Sequence, residues 1–183
     1  MKKTYKEIDG FFSFEPFYNF ICKNYIKESM NIVEIGAFKG KSTSFMASYI
    51  KNFNVNFYVV DNWKGSDEHQ SLGNIKNLFE EFKSNMEQCE LLDVIKIVKK
   101  DSVEASALFE DNFFDFVFID AAHDYVNVKN DINAWYPKVK KNGIIGGDDY
   151  SLECWPEVVK AADEILGNEI QQNFKPAWYC YKS

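Results

Sequence analysis

The residues best suited to chemistry follow short apolar runs, at the points where five such runs end. They are acids, glycines and a histidine, in five segments: residues 34–42 (EIGAFKGKS), 61–63 (DNW), 101–102 (DS), 120–123 (DAAH) and 148–149 (DD). In open α/β sheets, ligands bind beyond the carboxyl ends of the strands. The spacing therefore predicts one binding site to which all five segments contribute.

The first segment contains a glycine-rich turn that falls short of two known phosphate-binding motifs. A P-loop has one more residue between its first glycine and its Gly-Lys pair than separates Gly36 from Gly40 here. The dinucleotide fingerprint needs a third glycine, which this turn lacks. Glu34 precedes the turn, and its charge would repel a phosphate. The turn therefore indicates a ligand with a positively charged end.

An amino acid joined to a nucleoside would fit these residue types. Glu34 and Gly36 would hold an ammonium group through a carboxylate and a close backbone approach, and the helix N-terminus at Ser42 would accept a carboxylate. Asp61 would accept both hydroxyls of a ribose, as acids do in dinucleotide-binding folds. The pattern predicts S-adenosylmethionine as the cofactor. The alternative is that the strand-end acids only cap helices.

The apolar runs themselves predict a sheet. Val, Ile and Phe fill them almost continuously, which is typical of parallel strands covered on both faces, at residues 31–36, 56–61, 94–99, 114–120 and 143–147. Helical periodicity occupies the intervals, at residues 42–51, 74–88, 125–139 and 155–166. Runs at 169–174 and 178–181 predict a closing antiparallel pair. The expected fold is Rossmann-like α/β, doubly wound, with a seven-stranded, mostly parallel sheet and an antiparallel C-terminal strand.

The length suits a single α/β domain spanning residues 1–183, because no repeat or Pro/Gly linker divides the chain. Residues 1–30 predict an aromatic-rich helical segment that packs across the sheet. A cover over the substrate or a dimer surface is the alternative for this segment. Lys39 and Lys41 are expected to lie in solvent.

Composition and charge exclude several classes of protein. Hydrophobic residues make up 46% of the chain, too many for a disordered protein. Acids outnumber bases 28 to 21 and every base is lysine, which counts against nucleic-acid binding. No stretch approaches the ~20 apolar residues of a membrane span, and the four cysteines lack disulfide or metal-ligand spacing. We expect a cytoplasmic protein.

Three stretches, VEIGAFKGKST, VVDNWKGSDEH and FVFIDAAHDYVNVKNDINAWYPKVKKNGIIGGDDY, resemble the class I S-adenosylmethionine-dependent methyltransferases. The chain most resembles small metal-dependent O-methyltransferases, including the catechol and macrolide-sugar enzymes. The resemblance places the methionine end of the cofactor at the first stretch, the ribose at the second and adenine at residues 101–102. It implies these cofactor-binding residues: Glu34, Gly36, Gly40, Ser42, Asp61, Asp101 and Ser102.

The resemblance also implies a divalent metal, Mg²⁺, held by Asp120, Asp148 and Asp149. Catechol O-methyltransferase has Asp-Asn in place of the last pair, so the second acid departs from its pattern. Three carboxylates at one sheet edge would repel each other unless a cation lay between them, and Mg²⁺ prefers oxygen ligands. The alternative is that Asp148 caps a loop and Asp149 faces solvent.

His123 occupies the position of that enzyme's catalytic lysine, which implies a catalytic role for His123 alongside Asp120. An unperturbed histidine accepts a proton near neutral pH, as a general base must. The alternative is a residue at a helix start that hydrogen-bonds to Asp124 or to backbone. His69 would reach substrate from its loop, although a solvated loop is the simpler interpretation.

The sequence thus predicts an S-adenosylmethionine-dependent methyltransferase acting, with metal assistance, on a hydroxyl of a small molecule or sugar. The expected partner is that hydroxylated acceptor, with no nucleic acid and no membrane, and the short chain is compatible with a homo-oligomer. Two alternatives stay open: a metal-independent methyltransferase acting on nitrogen or a glycan, and a non-catalytic cofactor-binding or scaffold domain.

Overall fold

The computed structural model describes residues 2–65 and 77–183. Seven strands form one sheet in the order β3-β2-β1-β4-β5-β7-β6. The strands are β1 (Asn31–Ile35), β2 (Asn56–Asp61), β3 (Ile95–Lys99), β4 (Phe114–Ile119), β5 (Val139–Gly147), β6 (Gln171–Phe174) and β7 (Ala177–Tyr181). β1 to β5 pair in parallel, and β7 is antiparallel to β5 and β6. This topology confirms the predicted Rossmann-like fold.

Six α-helices of the described chain cover the two faces of the sheet. They are α1 (Glu15–Asn24), α2 (Lys41–Ile50), α3 (Leu78–Gln88), α4 (Ser102–Ser106), α5 (Tyr125–Trp135) and α6 (Pro156–Leu166). The first three pack into one hydrophobic core and the last three into another. The first three residues of the predicted helix 74–88 lie outside the described residues, and so does His69.

The strands β1, β2 and β4 are largely apolar because successive side chains point to opposite faces of the sheet, and both faces are largely buried there. In β1, Ile32 enters the core with α1 and α2, whereas Val33 and Ile35 enter the core with α5 and α6. β4 alternates in the same way, with Phe116 and Val117 on opposite sides. The continuous apolar runs in the sequence are therefore explained by a two-sided sheet.

Three local predictions were wrong in their bounds. The helix predicted over 125–139 ends at Trp135, because Pro137 cannot donate a backbone hydrogen bond. A 3₁₀ turn follows, and β5 begins at Val139, so β5 starts four residues before the predicted Gly143. The N-terminal segment is α-helical only over Glu15–Asn24. The short helix α4 was not predicted, since five residues carry no periodicity.

The strand order creates the crevice that holds the site. Connections from β1 run through α2 on one face of the sheet, and those from β4 run through α5 on the other. The loops after β1 and β4 therefore diverge between neighbouring strands. Such a switch point is where open α/β sheets bind ligands.

Candidate active site

A cavity of about 1010 Å³ opens at the carboxyl ends of the strands, at this switch point. All five segments singled out in the sequence contribute to its wall. The predicted site residues that line it are Gly36, Ser42, Asp61, Asp101, Ser102, Asp120, His123, Asp148 and Asp149. Glu34 and Gly40 are not among its lining residues. The tertiary structure therefore gathers most of the predicted site in one place.

Gly36 turns the chain at the end of β1, beside the cavity. Its φ of +89° is in the left-handed region, and a Cβ built there would lie 1.9 Å from the backbone oxygen of Asp120. Its own N–H donates to the carbonyl of Val60 at 2.8 Å. Glycine is therefore required at this position for both conformation and space. The glycine lets the chain after β1 pack directly against the backbone that follows β4, beside the cavity.

Glu34 lies beneath the turn, in the core. Its carboxylate is fully buried and accepts hydrogen bonds from Thr43 Oγ1 at 2.6 Å and from Tyr18 Oη at 3.2 Å. Burial raises the pKa of Glu34 to about 7, although the Ser42 and Thr43 hydroxyls favour the charged form. In this arrangement Glu34 supports the start of α2 from below. Its predicted contact with the ammonium group stays a prediction.

The raised pKa of Glu34 predicts a pH-dependent stability. Its folded-state pKa of about 7 exceeds the usual 4.5, so the folded state binds more protons between these values and stability falls as pH rises through that window. Glu34→Gln should remove this fall, which amounts to at most about 3 kcal/mol. Urea unfolding of both proteins at several pH values measures the difference. Parallel stability curves for the two proteins would contradict it.

Asp61 ties the end of β2 to the glycine-rich turn. One carboxylate oxygen, Oδ2, accepts hydrogen bonds from the backbone N–H groups of Ala37 and Phe38 at 2.9 and 3.0 Å. The other, Oδ1, accepts from Trp63 N at 2.6 Å. Asp61 thus fixes the loop that follows β1, and it also faces the cavity, where the ribose is predicted.

The predicted adenine side of the cavity lies at the start of α4. Asp101 accepts hydrogen bonds from Asn62 Nδ2 at 2.7 Å and from Lys64 Nζ at 3.2 Å. The hydrogen bond from Asn62 is the leading cause of the lowered pKa of Asp101. Ser102 Oγ accepts from Trp135 Nε1 at 2.8 Å. Asp131 of α5 also lines this wall. Sequence reasoning missed Asp131 because it lies inside a helix, away from any strand end.

Asp120, His123 and Asp149 form a cluster at the ends of β4 and β5. Each offers one potential metal ligand, and the three ligand atoms lie within 4.8 Å of one another. His123 Nε2 is 2.7 Å from Asp149 Oδ2 and 3.9 Å from Asp120 Oδ1. The His123 ring packs on Trp155 with centroids 4.4 Å apart. The cluster combines groups able to hold a cation and to move a proton.

Asp148 has a different partner from the adjacent Asp149. Its Oδ2 accepts a hydrogen bond of 2.5 Å from Ser13 Oγ, whereas its buried Oδ1 has no hydrogen-bond partner among the described residues. Burial, with the charges of Asp120 and Asp149, raises the pKa of Asp148 to about 7. A buried carboxylate oxygen without a donor is costly. This oxygen is suited to a cation or a donor from a ligand.

The segment from Asp9 to Ser13 forms part of the cavity wall, so this part of the N-terminal segment lies at the site as well as against the sheet. Lys39 Nζ pairs with Asp9 at 2.8 Å, and Lys41 Nζ donates to the carbonyl of Gly10 at 3.0 Å. The prediction that both lysines lie in solvent was wrong for Lys39, whose side chain is only 15% exposed. The two lysines attach this N-terminal segment to the glycine-rich turn.

The fold is shared with solved structures named as S-adenosylmethionine-dependent methyltransferases. A family model described as a methyltransferase domain matches residues 33–150, and the chain belongs to this family. The earlier resemblance to class I methyltransferases is thereby confirmed. The described residues contain no helix long and apolar enough to cross a membrane.

Similar proteins include relatives with and without a described activity. An uncharacterized protein of Acanthamoeba polyphaga mimivirus is 28% identical over 158 residues, covering 85% of this chain and 68% of its own. A Staphylococcus aureus structure named as a caffeoyl-CoA O-methyltransferase has a TM-score of 0.69 at 16% identity, covering 97% of this chain and 87% of its own. A Clostridium thermocellum structure named as an rRNA methylase has a TM-score of 0.66 at 14% identity, covering 96% of this chain and 97% of its own. These structures share the fold, which does not fix the methyl acceptor.

Proposed function

We propose that this methyltransferase transfers the methyl group of S-adenosylmethionine to a hydroxyl of a small molecule or sugar, with a divalent metal, Mg²⁺, at the acceptor. The observation that carries the proposal is the convergence of Asp120, His123 and Asp149 within 4.8 Å. They line the same cavity as the glycine-rich turn and Asp61. The proposal includes a cytoplasmic location and an acceptor that is neither nucleic acid nor membrane.

The residues of the first two loops suit the cofactor. Gly36 turns the chain beside the cavity without a side chain, and Ser42 of α2 lines the same cavity. Asp61 presents a carboxylate to the cavity while its backbone contacts hold the loop in place. The bound cofactor supplies an electrophilic methyl group on a positively charged sulfur. These residues would hold and orient the cofactor, and methyl transfer depends chiefly on such positioning.

The acidic residues suit a metal. Asp120 and Asp149 are close enough to share a cation. The same cation would give the Asp148 oxygen, which has no hydrogen-bond partner among the described residues, a positive charge to interact with. Carboxylates are the ligands that Mg²⁺ prefers. A metal there would lower the pKa of an acceptor hydroxyl. Because Asp148 hydrogen-bonds to Ser13, Asp120 and Asp149 are the principal candidates and Asp148 the third.

His123 is the residue that would take the proton. The imidazole lies beside Asp120 and Asp149, and its ring packs against Trp155. His123 would accept the proton that the acceptor hydroxyl gives up as it takes the methyl group. The Asp149 carboxylate at 2.7 Å would then stabilise the imidazolium.

A thermal melt tests the proposed cofactor and metal together. S-adenosylhomocysteine at about 100 times its Kd should add roughly 2.7 kcal/mol of stability, which shifts the Tm by about 5–10 °C for a chain of this length. Mg²⁺ should shift it further, and a chelator should reverse that second shift. A cofactor shift without a metal effect would favour a metal-independent methyltransferase. Absence of any shift would favour the scaffold alternative.

A further inference from the structure

The glycine-rich turn between β1 and α2 is held in place by side chains from other parts of the chain. Residues 36–40 belong to no helix or strand, so regular secondary structure does not pair their backbone polar groups. Asp61 and Trp63 hold the first half of the turn through hydrogen bonds to its backbone. In the second half, the carbonyl of Lys39 accepts a hydrogen bond of 2.9 Å from Nδ2 of Asn85. Helix α3 therefore holds this half of the turn.

Asn85 is the one polar residue among the buried residues of α3. The others, Leu78, Phe82 and Met86, are apolar, and Asn85 itself is only 5% exposed. Two of these residues pack against the end of the turn, since a Cβ built at Gly40 would lie 2.7 Å from Met86 and 2.9 Å from Phe82. A buried amide is costly unless its polar atoms find partners. The Lys39 carbonyl is such a partner, so the amide is matched to the backbone of the turn.

The two partners of Asn85 fix the orientation of its amide group. Lys3 Nζ donates to Asn85 Oδ1 at 2.7 Å. An ammonium group can only donate and a carbonyl can only accept, so the amide oxygen must face Lys3 and the amide nitrogen must face Lys39. Lys3 is itself held to α3, because its backbone N–H donates to the carbonyl of Gln88 at 3.0 Å. The amide therefore joins the N-terminal segment, α3 and the turn in a single arrangement.

We propose that Asn85 is a positioning residue for cofactor binding, which holds the Lys39 carbonyl and with it the end of the glycine-rich turn. This inference rests on the proposed function. Lys39 and Ser42 line the cavity, whereas Asn85 is not among its lining residues. Asn85 would therefore act through the turn and not by touching the cofactor. Without its N–H group, the Lys39 peptide unit would be released at the point where α2 begins.

Calorimetric titration of S-adenosylhomocysteine into the full chain and its variants tests this role. Asn85→Asp keeps an oxygen for Lys3 but removes the N–H group that reaches Lys39, and it should weaken binding about tenfold. Asn85→Ala, which adds no charge, should weaken binding by a similar factor. Lys3→Ala removes the other hydrogen bond of the same amide and should stay within about twofold of the wild type. Adenosine lacks the part of the cofactor predicted to lie at the turn, so its affinity for Asn85→Asp should fall less than about twofold.

Asn31→Asp provides a matched control at the start of β1, the end of that strand away from the turn. Asn31 Nδ2 donates to the carbonyl of Phe113 at 3.1 Å, and its Oδ1 accepts from Asn56 Nδ2 at 2.8 Å. The same substitution therefore removes the same kind of hydrogen bond, and it should lower the Tm without changing cofactor affinity. Asn85→Asp with this behaviour would overturn the positioning role, as would equal losses for adenosine and S-adenosylhomocysteine. A wild-type protein that fails to bind S-adenosylhomocysteine would instead refute the proposed function.

Discussion

Gly36→Ala is expected to destabilise the protein by more than about 3 kcal/mol and to abolish cofactor binding. The added Cβ would lie 1.9 Å from the backbone oxygen of Asp120 and 2.9 Å from Ala121 Cα. Neither atom belongs to a flexible side chain, so the ends of β1 and β4 would have to separate. That separation would disturb both the cofactor turn and Asp120. Urea unfolding and calorimetric titration with S-adenosylhomocysteine measure the two losses.

Two other glycines separate the contributions of backbone strain and of space. Gly167 also has a positive φ, +54°, but a Cβ there would meet nothing within 4 Å. Gly167→Ala should therefore cost only about 1–3 kcal/mol of backbone strain, with unchanged binding. Gly40→Ala should lie between them, because the atoms that its Cβ would meet belong to the side chains of Met86 and Phe82, at 2.7 and 2.9 Å, and not to backbone. Equal losses for Gly36→Ala and Gly167→Ala would contradict the steric argument.

Asp120→Asn is expected to reduce methyl transfer at least about 100-fold while leaving S-adenosylhomocysteine affinity within about threefold. The amide would remove a negative charge from the cluster with His123 and Asp149. It would also relieve repulsion, since the charge of Asp120 contributes to the raised pKa values of Glu34 and Asp148. The variant should therefore be as stable as the wild type or more so. Loss of activity with unimpaired stability is typical of a functional residue.

The measurements are turnover on a panel of hydroxylated acceptors with added Mg²⁺, thermal melts, and calorimetric titration with Mg²⁺ alone. Metal stimulation of activity should disappear with Asp120→Asn and persist with Asp115→Asn, the same substitution at the other end of β4. Full activity of Asp120→Asn would remove this residue from the proposed mechanism. A fall in Tm that parallels the loss of activity would assign Asp120 a structural role instead.

The different partners of Asp148 and Asp149 could not be predicted from the sequence. Asp148 and Asp149 are adjacent in sequence and were predicted to act together at one metal. Asp149 has a φ of +62°, in the left-handed region that aspartate tolerates. Asp148 contacts Ser13, whereas Asp149 contacts His123. The partners of two neighbouring acids follow from the local backbone turn and from a segment more than a hundred residues away.

The sequence by itself determined the sheet, its strand ends and the residue types that follow them. These features are local: a strand buried on both faces must be apolar along its length, and the residues that follow parallel strands must meet at one edge. Only the tertiary structure decided which residues from distant segments join them. Asp131 comes from the interior of a helix and Ser13 from the N-terminal segment, and both reach the site through contacts that span much of the chain. Local pattern carries no information about such contacts, because they depend on how helices and loops pack across the finished sheet.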